Sequence, residues 1–247
     1  MQKVHIAPLW SILAGAVGLA VIGWFSALSV VGWCAGLLYL VCSNVLLTRG
    51  LRRHGTLHFG PANAVTAARS TLVGLVTALV ATSFTASVSV PLLVGLTAVA
   101  LVGDAVDGWI ARRTQTASAL GARFDMEVDA FLILVLSAYV AQSLGWWVLA
   151  IGGMRYAFVA VGWVLPWMTA TLPPRYWRKV VAALVGIGMT VVASGLMPVW
   201  ADIVLTLAAL GLLVESFGRD VIWLFRRRAE RVDPVVAEQR EHEDRSL

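Results

Sequence analysis

The sequence predicts an all-α membrane protein, a polytopic helical bundle of eight crossings in which an N-terminal transmembrane hairpin precedes a six-helix core. Three observations carry this prediction. Hydrophobic residues make up 59% of the 247 residues and charged residues only 13%, whereas soluble proteins are roughly half apolar and about a quarter charged. Apolar runs long enough for a hydrocarbon core of ~30 Å follow one another along the chain. Lys and Arg fall in alternate connections between those runs and are absent from the others.

Residues 9–47 are almost wholly apolar. A helix of that length would run about 58 Å, roughly twice the bilayer core, so two crossings with a break near Ser26–Ser29 are expected. A secretory leader has an apolar region of only about 7–15 residues and a small-residue cleavage site, so an uncleaved hairpin fits better. Residues 48–61 are polar and carry Arg49, Arg52 and Arg53. Six further apolar segments follow near 62–84, 90–111, 119–142, 146–168, 179–197 and 201–225, and a charged, mobile tail is expected from Arg226. The chain thus divides into a hairpin and basic linker (1–60), a core (61–225) and a tail (226–247).

The net charge of +5 comes from short clusters at Lys3, 49–53, 112–123, 175–179 and 226 onward. No basic stripe is interleaved with exposed aromatics, which argues for topology and anionic headgroups rather than nucleic acid. Turns near 27–30, 85–89, 143–145 and 198–200 carry no Lys or Arg. The positive-inside rule then places both termini and the basic loops in the cytoplasm. Trp10, Trp146, Trp147, Trp167 and Trp200 fall near the expected interfaces, as an aromatic belt does. Cys34 and Cys42 lie eight apart in one apolar run, match no metal or redox spacing, and read as buried apolar residues. His54 and His58 have helical spacing, but Gly55 and Gly60 favour a surface linker over a metal site.

Residues 104–129 read DAVDGWIARRTQTASALGARFDMEVD. Asp104 and Asp107 share one helix face, Asp125 and Asp129 the next. A short basic loop forces the two segments antiparallel, so the pairs converge. Acids inside a membrane helix cost about 2.5–3.5 kcal/mol each on insertion scales and mark functional sites. Divalent cations resolve the crowding, and an all-oxygen ligand set favours Mg²⁺, Mn²⁺ or Ca²⁺. Two such ions would form a clamp for in-line phosphoryl displacement. Gly108, Ala111 and Gly121 leave room for a ligand, and Arg112 can fork onto a phosphate. A salt-bridge network of the aspartates with Arg112, Arg113 and Arg123 is the competing reading.

The pattern D-x2-D-G-x2-A-R-x8-G-x3-D-x3-D resembles the CDP-alcohol phosphatidyltransferase family, and this chain matches every fixed position: Asp104, Asp107, Gly108, Ala111, Arg112, Gly121, Asp125 and Asp129. Upstream, Pro61, Asn63, Thr66 and Arg69 resemble the opening of that family's first core helix, and the resemblance spans about residues 61–225. It implies two divalent metals, Mg²⁺ or Mn²⁺, held by the first three aspartates, with Asp129 as a further ligand or the base that activates the acceptor. It implies donor binding by Gly108, Ala111, Arg112, Gly121, Asn63, Thr66 and Arg69, and a homodimer. Two departures stand out: Ala130 and Phe131 follow the last aspartate where many members carry Lys or Arg, and the N-terminal hairpin is extra to the core.

The implied reaction moves a phosphatidyl group from CDP-diacylglycerol to a hydroxyl acceptor at the cytoplasmic face of the cell membrane and releases CMP. Arg69, Arg155 and Arg219 are the basic residues that lie well inside the expected crossings. Arg219 can pair with Glu215 or Asp220. Arg155 has no acid at helical spacing and is the first choice for an acceptor phosphate, with Arg175, Arg178 and Lys179 beside it. A phosphorylated polyol such as glycerol phosphate or inositol phosphate is the leading acceptor. The alternatives are a CDP-choline or CDP-ethanolamine enzyme acting on diacylglycerol and, in a different class, a cation transporter. Acids clustered at one side rather than continuing across the bilayer disfavour the transporter.

Overall fold

The computed structural model describes residues 3–53, 61–114, 119–169 and 176–244. Eight α-helices follow one another there: α1 (Lys3–Ser26), α2 (Val30–Arg53), α3 (Pro61–Ser83), α4 (Val90–Thr114), α5 (Ala119–Leu144), α6 (Leu149–Val164), α7 (Tyr176–Ala193) and α8 (Val199–Asp244), with no strand among the described residues. Among the described residues, four stretches are long and apolar enough to cross a bilayer: Val30–Gly50, Thr66–Ser83, Trp146–Val164 and Val199–Arg228. Ser11–Ser26 and Val90–Val106 are shorter apolar stretches. Helices suit this composition because a bilayer offers the backbone no hydrogen bonds from water. Buried hydroxyls are satisfied the same way: Thr82, Thr97, Ser137, Thr190 and Thr206 each donate to the carbonyl four residues earlier.

α3 and α5 form the centre of the bundle. α3 packs against α1, α2, α4 and α5, while α5 also packs against α6 and α7. Val73, Val76, Leu79, Leu132, Leu136 and Val140 from these two helices anchor the main apolar core. α6 lies close on α5 because residue 152 is glycine: a Cβ there would run into the Leu134 backbone.

The expected break in the first apolar run is present. α1 stops at Ser26, Ala27 turns the chain with a φ of 39°, and the Ser29 hydroxyl caps α2 by accepting from Gly32 N–H at 3.1 Å. The hairpin is packed rather than peripheral. A Cβ on Gly36 would come 2.9 Å from Ala78 Cβ of α3 and 3.0 Å from Leu19 of α1, so this small residue permits close helix approach. Ser29 N–H also donates to Thr82 Oγ1 at 3.3 Å.

Side-chain contacts sort the connections into two ends. Phe84 stacks near Trp146 at 6.4 Å, and Gln142 donates to Ser83 Oγ at 2.8 Å. The uncharged α3–α4 and α5–α6 turns therefore share one end. At the other end the Trp167 ring meets Phe225 at 6.0 Å, and Arg228 lies over Trp167 at 5.9 Å.

Three expectations change. Cys34 and Cys42 are free thiols, but both are exposed on the outside of α2 rather than buried; an outer face in lipid accepts the same apolar residues as a core. The segment expected over 146–168 is interrupted, because Leu165 is extended before Pro166 and a short 3₁₀ turn follows at Pro166–Thr169. The tail does not leave the helix at Arg226, since α8 continues to Asp244. His54 and His58 lie outside the described residues.

Replacing Gly36 by Leu is expected to force α2 from α3 and to destabilise the protein by roughly 1–3 kcal/mol. The same change at Gly95, where a Cβ meets nothing within 4 Å, should be nearly silent. Thermal unfolding of both variants in detergent micelles checks this; equal midpoints would contradict the packing.

Candidate active site

The acidic site begins with three helices that approach near the end opposite the uncharged turns. Asp104 comes from α4, and Asp125 and Asp129 come from successive turns of α5. One carboxylate oxygen from each lies within 4.8 Å of those from the other two. Asp104 thus meets both Asp125 and Asp129. Asp107 lies on α4 with Gly108, Ala111 and Arg112, but the side chains of these residues are outside the described residues, as is that of Asn63 on α3.

At the centre stands Arg69 of α3, which the sequence resemblance associated with the donor. Its side chain is 1% exposed, against 39%, 33% and 28% for the side chains of Asp104, Asp125 and Asp129. Nη1 donates to Asp104 Oδ1 at 3.0 Å and also to Asp125 Oδ1. Nη2 donates to Asp129 Oδ1 at 2.6 Å and to the Asp125 carbonyl at 3.3 Å. The guanidinium is the buried floor of the cluster, and the carboxylates form its open face. A planar fork can bind several carboxylates at once, which an ammonium cannot do in the same geometry.

Three carboxylates against one guanidinium leave a net negative charge when all are ionised. That surplus, an all-oxygen donor set and the partly open face fit a divalent cation. The fit is observed for Asp104, Asp125 and Asp129. Thr66 is buried on α3, and Gly121 sits in the first turn of α5.

The acceptor residues divide. Arg155 of α6 pairs with Glu127 of α5, a residue passed over within the acidic motif because its helical spacing to Arg155 is nil. Arg155 Nε is buried with no hydrogen-bond partner among the described residues. Arg178 of α7 faces the buried Asp220 of α8 at 3.5 Å, and Trp177 beside it donates to Glu215 at 2.9 Å. Lys179 is exposed on α7, and Arg175 lies outside the described residues. Arg219 pairs with Glu215, one of its two expected partners. A usable signal for the missed partners existed: a lone Arg deep in an apolar helix requires an acid from another helix.

Comparison with protein families matches residues 59–214 to CDP-alcohol phosphatidyltransferase. The match takes in α3 to α7 and the first part of α8, and leaves the hairpin outside. No curated protein and no solved structure matches the chain.

The ion cluster is testable without turnover. In chelator, Arg69→Gln leaves the carboxylates without their counter-charge and is expected to lower the unfolding midpoint. Adding Asp129→Asn should restore part of the loss, because it removes one of the repelling charges, with a coupling of about 0.5–3 kcal/mol. A double variant whose loss is the sum of the two single losses would contradict the arrangement.

Proposed function

The chain belongs to the CDP-alcohol phosphatidyltransferase family, and from that premise we propose that it transfers a phosphatidyl group from CDP-diacylglycerol to a hydroxyl acceptor and releases CMP. The family makes it a membrane transferase of phospholipid biosynthesis that takes a CDP-alcohol donor. The finer reading rests on one observation above all: the carboxylates of Asp104, Asp125 and Asp129 meet at one half-buried point over the Arg69 guanidinium.

In this reading Asp104, Asp107 and Asp125 would hold two divalent ions, Mg²⁺ or Mn²⁺, beside Asp129, the base. Bound there, the metal would neutralise the donor pyrophosphate and the charge of the departing CMP. Arg69 holds the carboxylates of Asp104, Asp125 and Asp129 together. Arg112 binds donor phosphate, and Gly108, Ala111 and Gly121 leave space for the donor beside Asn63 and Thr66. The acceptor oxygen attacks the phosphorus that bears diacylglycerol. Its bond to the bridging oxygen breaks, CMP leaves with the electron pair, and Asp129 takes the acceptor proton. Positioning and charge stabilisation carry the rate.

The acceptor of this reading is a phosphorylated polyol. Support comes from Arg155, a cation on α6 whose partner Glu127 lies between Asp125 and Asp129 in sequence and whose Nε has no partner among the described residues. Arg175, Arg178 and Lys179 would extend the site, Arg178 while facing Asp220. The reading includes eight crossings, a cytoplasmic active site in the cell membrane and a homodimer.

Purified protein with labelled CDP-diacylglycerol should release CMP when Mg²⁺ or Mn²⁺ and a suitable acceptor are present, and stop in excess chelator. Asp104→Asn, Asp107→Asn and Asp125→Asn should each lower turnover by roughly 100-fold or more. Asp129→Asn should lose kcat while keeping donor affinity; collapse of donor binding would make Asp129 a ligand instead of the base. Full activity in chelator would sink the metal-dependent reading.

Arg155→Ala should raise the acceptor KM about tenfold or more and leave the donor KM nearly unchanged, as loss of one charged contact to a phosphate does. A folded variant with an unchanged acceptor KM would reduce Arg155 to the partner of Glu127.

A further inference from the structure

One side chain of the N-terminal hairpin reaches the acidic site. Tyr39 of α2 stacks on Phe131 of α5, with ring centroids 4.6 Å apart and planes 22° from parallel. Its hydroxyl stands 3.4 Å from Ser70 Oγ of α3. Ser70 directly follows Arg69, and Phe131 follows Asp129 by two residues. Tyr39 therefore touches a near neighbour of each partner in the Arg69–Asp129 ion pair, which closes at 2.6 Å.

The ring has little freedom. A Cβ on Gly74 of α3 would come 3.2 Å from Tyr39 Cδ1, so the ring is wedged between the α3 backbone and Phe131. Leu40, next to it, is 1% exposed, and Gly36, three residues earlier, seats α2 against α3. An aromatic pair contributes about 0.5–1.5 kcal/mol beyond its buried area. A hydroxyl contact at 3.4 Å is weak by comparison, so the ring is the main tie. Arg69 must span from α3 to both acids of α5 at once, which depends on how these two helices are spaced.

We propose that Tyr39 is a positioning residue for the transfer reaction, and that the hairpin is thereby part of the catalytic unit. Tyr39 sets the spacing of α3 and α5 at the level where Arg69 gathers Asp125 and Asp129. It acts through those residues and not on substrate. The inference rests on the phosphatidyl transfer proposed above.

The test uses full-length protein in lipid nanodiscs, with CMP release from CDP-diacylglycerol as the assay, in Mg²⁺ and with glycerol phosphate or inositol phosphate as the acceptor. Tyr39→Ala and Phe131→Leu should each lower kcat by roughly tenfold or more, as small misplacements of a catalytic group do, while the donor KM stays within about twofold. Tyr39→Phe keeps the ring and should run near the wild-type rate. The Tyr39→Ala/Phe131→Leu double variant should lose little beyond the worse single variant, because both remove the same stack. Multiplied losses, or a folded single variant at the wild-type kcat, would overturn the proposal. Should Tyr39→Ala not fold, Phe131→Leu with an unchanged unfolding midpoint decides alone, by its kcat. A wild type that releases no CMP refutes the transfer reaction instead. Thermal unfolding of the Tyr39→Ala and Asp129→Asn cycle then decides the inference: coupled losses support it, and additive losses overturn it.

Discussion

The Arg69 guanidinium is the contact on which the site depends. It is buried on the central helix α3 and binds carboxylates from α4 and α5. Without a cation at that point, three acids would repel one another where water is scarce, and the helices carrying them would have to part. With it, the acids are drawn to one place and their outer side stays open. Burial of the cation beneath partly exposed carboxylates makes the cluster directional: it can receive charge from one side only.

The rest of the bundle holds α3 and α5 in place around that contact. Apolar residues of the two helices fill the core beyond the site. α4 and α6 pack on either side of this pair, and the hairpin closes against α3 through small residues on α2. Lipid cannot drive helices together by the hydrophobic effect, so close backbone approach and interhelical polar contacts must do so. The two places where the chain departs from the family pattern, the added hairpin and the aromatic residue after the last aspartate, meet in the stacking of Tyr39 on Phe131.

Much was legible in the sequence because its signals are local. Apolar runs of bilayer length can only be helices when the backbone must satisfy itself, and the structure has a helix for each of them. The break at 27–29 was readable from its serines, and the convergence of Asp104 with Asp125 and Asp129 followed from two helical spacings and a short loop. The charged tail carries no such apolar signal, and there α8 continues to Asp244.

What the tertiary structure alone decided concerns partners from different helices. The sequence identified Arg69 and Arg155 as unusual cations, yet Arg69 finds its acids 35 to 60 residues away and Arg155 finds Glu127 at a separation of 28. Tyr39 and Phe131 lie still further apart along the chain and show no mutual pattern. Helical spacing fixes which residues of one helix share a face, and so the sequence determined the helices, the acidic motif and the class of chemistry. Which face meets which depends on packing between helices, where small residues and buried charges select one arrangement, and no period within a single segment records that choice.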